Sequence, residues 1–341
     1  MLLKCSNCVK ILLETTLMIE FGEIIEQQQQ YISLCSGETD CNSFLFESND
    51  EIYLNNFMFM FARHLLCQQK GISCGKCLAC QKVNSLSHAD LRIYPKNSKS
   101  ILVDDIKDLI ENIYLSPVES DKKVFVLKNF SNATIQAQNK LLKILEEPPK
   151  NAYIILGVSN SSKVLPTVMS RCKKMHLQPL DNNFIRQILN DMDGQKAENI
   201  VHIAQGNLTK ALEYSKDQNF QNIFATCLDT LKNMKNSTQL ISYTTRLSAN
   251  KEEFAIVLNI FESLFRDIML FRFGRQDLLQ NKNLIDDIIV LAQDFDCDCV
   301  DKIIRKLSET KKQMEFNCNQ TVLMDELLLY ILEVKYYATK G

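Results

Sequence analysis

The sequence predicts an α/β protein, with a mostly parallel sheet covered by helices in its first half and helical domains without strands in its second. Three observations predict it. Short runs rich in Val, Ile, Leu and Phe alternate with longer amphipathic stretches up to about residue 180, the pattern of a parallel sheet buried on both faces. Beyond that point such runs cease. Finally, 341 residues with only 9 Gly and 6 Pro leave room for two or three domains but call for few tight turns and much helix.

Taken in order, the first strand is expected at 44–46, followed by a polar turn and an apolar helix over roughly 53–67, whose FMFMFARHLL reads as buried on most sides. A strand near LRIYP (91–95), a helix over 103–115 and the strand VFVLK (124–128) come next. The helix expected at 132–147 carries Ala133, Ala137, Leu141 and Leu145 on one stripe and is stopped by Pro148 and Pro149. After the strand AYIILGV (152–158), Pro166 suits the first turn of a short helix, PTVMS. That stiff element ends in Ser170-Arg171-Cys172, so its arginine is well held and can point outward.

FIRQILNDM and AENIVHIAQGNLTKALEYS then read as a small helical unit with Gly206 as a helix stop. Further on, Phe254, Val257, Leu258, Phe261, Leu264, Phe265 and Ile268 make a stripe of three- and four-residue steps, and Met324, Leu327, Leu328 and Ile331 make another. The expected division is an α/β module over 18–178, a helical unit over 179–216 and a helical domain over 217–341. Residues 1–17 read as an extension ahead of Met18.

With 46% hydrophobic and 23% charged residues and a net charge of -2, the chain is of the ordinary soluble type and carries no global field toward DNA or membrane. The apolar run in VKILLETTLMI is broken by Glu14 and is far shorter than the ~20 residues that span a bilayer. No small-residue cleavage pattern follows it. A cytoplasmic location is expected, in which thirteen Cys are thiols or metal ligands.

Four of those cysteines cluster. Cys67, Cys74, Cys77 and Cys80 form C-x6-C-x2-C-x2-C, with Gly71 and Gly75 for the turns. Four thiolates close a tetrahedral Zn2+ shell with no position left for water, a structural arrangement. A set of clustered thiols without metal and a redox pair are the alternatives. Cys5 and Cys8 form an isolated CxxC. Over 67–100, Lys70, Lys76, Lys82, Arg92, Lys96 and Lys99 outnumber Asp90, either a solvated surface or a face for DNA phosphates.

The cysteine cluster, SHADLRIYP, NKLLKILEEPP and LPTVMSRC, in this order and at these separations, resemble the AAA+ clamp-loader family of bacterial DNA polymerase III over residues 20–215. The resemblance implies an AAA+ module with a zinc knuckle (67–82), a helical lid and a C-terminal helical collar that oligomerises. The family has ATPase motor subunits (gamma/tau) and a delta-prime type that keeps the fold and often lacks ATPase function. Its phosphate loop, G-x-x-x-x-G-K-[ST], cradles phosphates with backbone N–H groups and a lysine.

Ser48 to Asn56 occupy the place of that loop here and offer no glycine and no lysine. Asp50 and Glu51 would repel phosphate; two like charges ~4 Å apart cost on the order of 4 kcal/mol at a protein surface. Lys128 and Asn129 stand where motor subunits carry magnesium-binding acids, and Thr209 and Lys210 where they carry a sensing arginine. Arg171 matches the family's SRC arginine, which reaches in trans to the ATP of a neighbouring subunit.

The resemblance therefore implies a delta-prime-type subunit that binds no ATP and lends an arginine finger. Its partners would be gamma/tau and delta subunits in a hetero-pentamer, acting on a sliding clamp and primed DNA. An ATPase motor subunit and a zinc-dependent nucleic-acid-binding protein are the rival readings.

Overall fold

The computed structural model describes residues 29–36, 41–69, 73–96, 100–189, 194–316 and 318–338. Residues 1–17, the Cys5–Cys8 pair, Lys70, Gly71 and Lys99 lie outside them. The described residues divide into two compact units, one running to Pro179 and including Asn207–Thr209, the other comprising Leu180–Gly206 and the chain from Lys210 onward.

The first unit is built on five parallel strands, β1 (Ser43–Glu47), β2 (Leu91–Tyr94), β3 (Lys123–Leu127), β4 (Ala152–Val158) and β5 (Lys173–His176), in the order β2-β3-β4-β1-β5. Its helices are α1 (Gln29–Ser36), α2 (Glu51–Leu66), α3 (Leu78–Asn84), α4 (Val103–Ile113), α5 (Ile135–Glu146) and α6 (Pro166–Met169). Strand alternation distributes the core. Phe44 and Phe46 of β1 face α2, with ring centroids 4.9 Å (Phe44–Phe61) and 5.1 Å (Phe46–Phe57) apart in edge-to-face pairs. Leu45 points to the other side, into a cluster with Ile106 and Leu109 of α4 and Leu141 and Ile144 of α5.

Helix α2 is buried almost all round, with Phe57, Met58, Phe59, Met60 and Phe61 in unbroken succession, because it is covered by α1 and α3 as well as by the sheet. Tyr31 of α1 donates its hydroxyl to the Met60 carbonyl at 2.8 Å. A Cβ at Gly157 of β4 would lie 2.5 Å from the Met58 thioether, so the bare backbone there leaves room for the end of that side chain as α2 packs on the sheet.

Helices α1 and α3 are additions to the expected elements, and α5 and β5 differ from expectation. Helix α5 starts at Ile135, capped by the Thr134 hydroxyl, which accepts from Ala137 N; residues 130–132 form a separate 3-10 turn. Strand β5, Lys-Lys-Met-His, carries no apolar run and pairs only with β1. An edge strand with mostly exposed side chains has no hydrophobic pattern to betray it, and lysines there guard against edge-to-edge association.

The second unit is helical: α7 (Asn182–Ile188), α8 (Gly194–Ala204), α9 (Leu208–Lys216, whose first two residues belong to the first unit), α10 (Phe220–Asn233), α11 (Leu240–Leu247), α12 (Lys251–Arg272), α13 (Ile285–Asp294), α14 (Cys297–Glu315) and α15 (Gln320–Ala338). Helix α12 is its centre, packed by α8, α10, α13 and α14. The stripe from Phe254 to Ile268 is fully buried, as are Met324, Leu327, Leu328 and Ile331 of α15. After α8 the chain turns through left-handed conformations at Gln205 and Gly206 (φ 51° and 78°), the helix stop that glycine permits.

Within this unit Arg186 grips Glu198 with both Nε (3.0 Å) and Nη2 (2.8 Å), and Glu198 in turn meets His202 Nε2 at 3.0 Å. Burial lowers the His202 pKa from 6.5, outweighing the attraction of Glu198. The unfolded chain therefore takes up the proton first, so the stability that neutral His202 contributes is present above about pH 6.5 and lost as pH falls below it. Thermal unfolding followed between pH 7.5 and 5.5 is expected to show this acid loss, and His202→Gln to flatten it.

Candidate functional site

The turn that follows β1 is filled from within. Asp50, 3% exposed, is the N-cap of α2, and its carboxylate accepts from Tyr53 N at 3.1 Å. The same carboxylate accepts from Leu208 N, from Thr209 N at 3.2 Å and from the Thr209 hydroxyl at 2.7 Å. Thr209 Oγ1 also takes the Ile52 N–H at 2.9 Å, and Ser48 Oγ takes the Asp50 N–H at 3.1 Å. A helix N-terminus directs unpaired N–H groups and partial positive charge at whatever lies beyond it. Here the anion it meets is a side chain of the protein. Over Ser48 to Asn56, where the phosphate loop is expected to be degenerate, the turn is thus closed by a carboxylate of the chain itself.

At the end of β3, Lys128 N joins the Tyr94 carbonyl at 2.8 Å and continues the sheet. Asn129 adopts a left-handed conformation (φ 52°) and donates its amide to Glu51 Oε1 at 3.2 Å. No carboxylate occupies these two positions, and Glu51, in the first turn of α2 where negative charge suits the helix dipole, is engaged by an uncharged amide.

Arg171 lies just past α6. Its Nη1 donates to the Thr167 carbonyl at 2.8 Å and to Ser170 Oγ at 3.4 Å, and its Nη2 meets Glu146 Oε1 at 2.6 Å. The pair is part-exposed, with side chains 33% and 49% accessible. Glu146 is the final residue of α5, in the LEEPP stretch, and its bond to Arg171 is a partner that reading the motifs one by one did not disclose.

Cys67, Cys74, Cys77 and Cys80 come together with their Sγ atoms all within 4.8 Å of one another. The Cys67–Cys74, Cys67–Cys77 and Cys74–Cys80 sulfur separations are 3.7, 4.0 and 4.0 Å. A tetrahedron with ~2.3 Å metal–sulfur bonds has sulfur–sulfur edges of about 3.8 Å, so the donor set fits a Zn2+ ion. Backbone N–H groups aim at the sulfurs: Cys74 at Cys67 (3.5 Å), Cys77 at Cys74 (3.3 Å) and Cys80 at Cys77 (3.4 Å). Gly75, at φ +67°, supplies the left-handed step that brings Cys77 round to Cys74.

Backbone donors from Cys77 and Lys76 lower the Cys74 pKa. Burial pushes the Cys77 thiol up, but the Cys80 and Gln68 N–H groups and adjacent thiols prevail and hold it at about 6. Burial raises Cys80 well above the ordinary thiol range. A metal ion would have to displace that last proton.

Around the cluster the positive excess is partly answered. Lys82 pairs with Glu119 and Lys96 with Asp108, each at 2.7 Å. Asp90, buried, accepts from Val118, Glu119 and Ser120 N–H groups (2.8, 2.7 and 2.9 Å), so SHAD serves to clamp a loop.

A model of the DNA polymerase III delta subunit matches residues 24–181, and a model of the C-terminal part of that subunit matches residues 185–333. The chain belongs to the DNA polymerase III delta-subunit family. It is similar to the DNA polymerase III subunit delta' of Bacillus subtilis (26% identical; 92% of this chain and 99% of that one) and to that of Yersinia pestis (25% identical; 80% and 83%). Similarity to the subunit tau of Escherichia coli (27% identical) covers 56% of this chain and 32% of that one. Among solved structures, a gamma-subunit-related protein of Thermotoga maritima aligns with 93% of this chain and 99% of its own at 18% identity and a TM-score of 0.41.

In this delta-family chain Asp50 is a stability element. Asp50→Ala removes a helix cap and strands buried N–H donors at 208 and 209, so the first unit is expected to lose about 2–4 kcal/mol in denaturant unfolding. Asp50→Asn, which keeps an acceptor, is expected to lose less.

Proposed function

We propose that this chain, a clamp-loader subunit of DNA polymerase III, holds no nucleotide of its own and presents Arg171 to the ATP of a neighbouring subunit. The observation that carries the reading is the Asp50 carboxylate seated at the N-terminus of α2 with four donors upon it. A triphosphate would have to displace a buried charge that is already satisfied, and it would meet Glu51 beside it. The reading as an ATPase motor subunit needs a lysine and an acidic pair that positions 48–56 and 128–129 do not supply.

Arg171, at a stiff helix end and in a part-exposed pair with Glu146, is the cation this reading assigns to phosphate chemistry. A guanidinium brought to a transferring phosphoryl group neutralises developing charge and is worth roughly 10³–10⁵ in rate. In this reading residues 18–178 form an AAA+ module, 179–216 a lid and 217–341 a collar. The partners are gamma/tau-type and delta subunits, and through them a sliding clamp and primed DNA. The four cysteines hold Zn2+ as a structural cross-link for a loop with little core of its own. A zinc-dependent DNA-binding protein finds less support, since Lys82 and Lys96 are already paired.

In a complex reconstituted with its partner subunits, Arg171→Ala is expected to silence the one ATP site that faces this chain by about 10³-fold or more, with total hydrolysis reduced by that site's share. Unchanged hydrolysis would discard the finger role. Metal analysis is expected to return about one zinc per chain, lost in Cys77→Ser; native protein free of zinc would reject the metal site.

A further inference from the structure

We infer that Glu146 is a latch that holds Arg171 on its own chain until a phosphate takes its place. The inference rests on the reading of Arg171 as a finger and names how that finger is regulated. In the structure the guanidinium is held by its own chain. Nη1 is anchored on the Thr167 carbonyl at 2.8 Å, and Nη2 is held by Glu146 Oε1 at 2.6 Å. Nε is covered and has no partner among the described residues.

Arginine binds carboxylates and phosphates best through two parallel N–H groups. The edge formed by Nε and Nη2 is such a fork, and Glu146 uses only half of it. The latched state therefore carries an unsatisfied donor, an unfavourable feature of its own. Once the guanidinium leaves Glu146 and swings about the Nη1–Thr167 bond so that Nε is uncovered, a phosphate oxygen pair at that edge would replace one bond with two.

The reason the latch forms lies in α5. Glu146 is its last helical residue and Glu147 follows, so two carboxylates sit at the negative end of a helix dipole, where a cation is welcome. The reason it opens is exposure. With the side chains 33% and 49% accessible, water and salt screen the pair, and such pairs bias an equilibrium by only about two- to fivefold. Glu146 is thus a positioning residue, strong enough to park the arginine and weak enough to yield to a charged phosphate.

The test uses the reconstituted complex with Glu146→Gln, Arg171→Ala and the double variant, each first shown to retain the wild-type unfolding midpoint. Glu146→Gln is expected to raise kcat/KM for ATP hydrolysis by about two- to fivefold through a lower KM. It is expected to change nothing in the Arg171→Ala background. An Arg171-dependent site that is unaffected or weakened by Glu146→Gln overturns the latch while leaving the finger in place. A gain that persists without Arg171 overturns it also. If Arg171→Ala itself leaves hydrolysis unchanged, the finger reading fails, and the latch with it.

Discussion

The carboxylate of Asp50 organises the first unit. It closes the N-terminus of α2, the helix on which the Phe44, Phe46, Phe57 and Phe61 packing is built, and it binds Leu208 and Thr209, which lie 158 and 159 residues along the chain. A buried charge is tolerable only when fully hydrogen-bonded, and the donors here come from two helix beginnings at once. The result is a helix beginning whose donors are met by the chain's own carboxylate. Two structural requirements, an anion for the helix dipole and a partner for distant N–H groups, are met by one side chain.

Charge is handled differently at the surface of the same unit. Asp50 is 3% exposed and has four donors, whereas Arg171 and Glu146 share one bond in partial contact with solvent. The first arrangement is rigid because breaking it strands buried groups; the second is adjustable because water replaces whatever is lost.

The cysteine cluster adds a third mode of stabilisation. Among the described residues from Cys67 to Cys80, Ala79 and Cys80 are the buried apolar ones, and N–H···S contacts accompany the convergence of the four thiols. That convergence sets sulfur spacings near those of a tetrahedral metal shell. Asp90 performs a parallel task nearby, tying residues 118–120 through three backbone donors.

Most of the architecture was legible in the sequence, since buried parallel strands are continuous apolar runs and core helices repeat every three to four residues: β1 to β4 and the stripe on α12 follow directly. The spacing of the four cysteines likewise implied their meeting, because turns of two and six residues leave the chain little choice. Strand β5 escaped because its side chains are mostly exposed and only its backbone pairs with β1. The absence of a lysine and glycines at 48–56 was plain from residue types, yet the role of Asp50 was not. In the sequence it is one more acid to repel phosphate; in the folded chain it is the anion itself. Partners such as Leu208 for Asp50 and Glu146 for Arg171 are decided by tertiary structure alone, because a hydrogen bond depends on distance in space and sequence separation carries no measure of it.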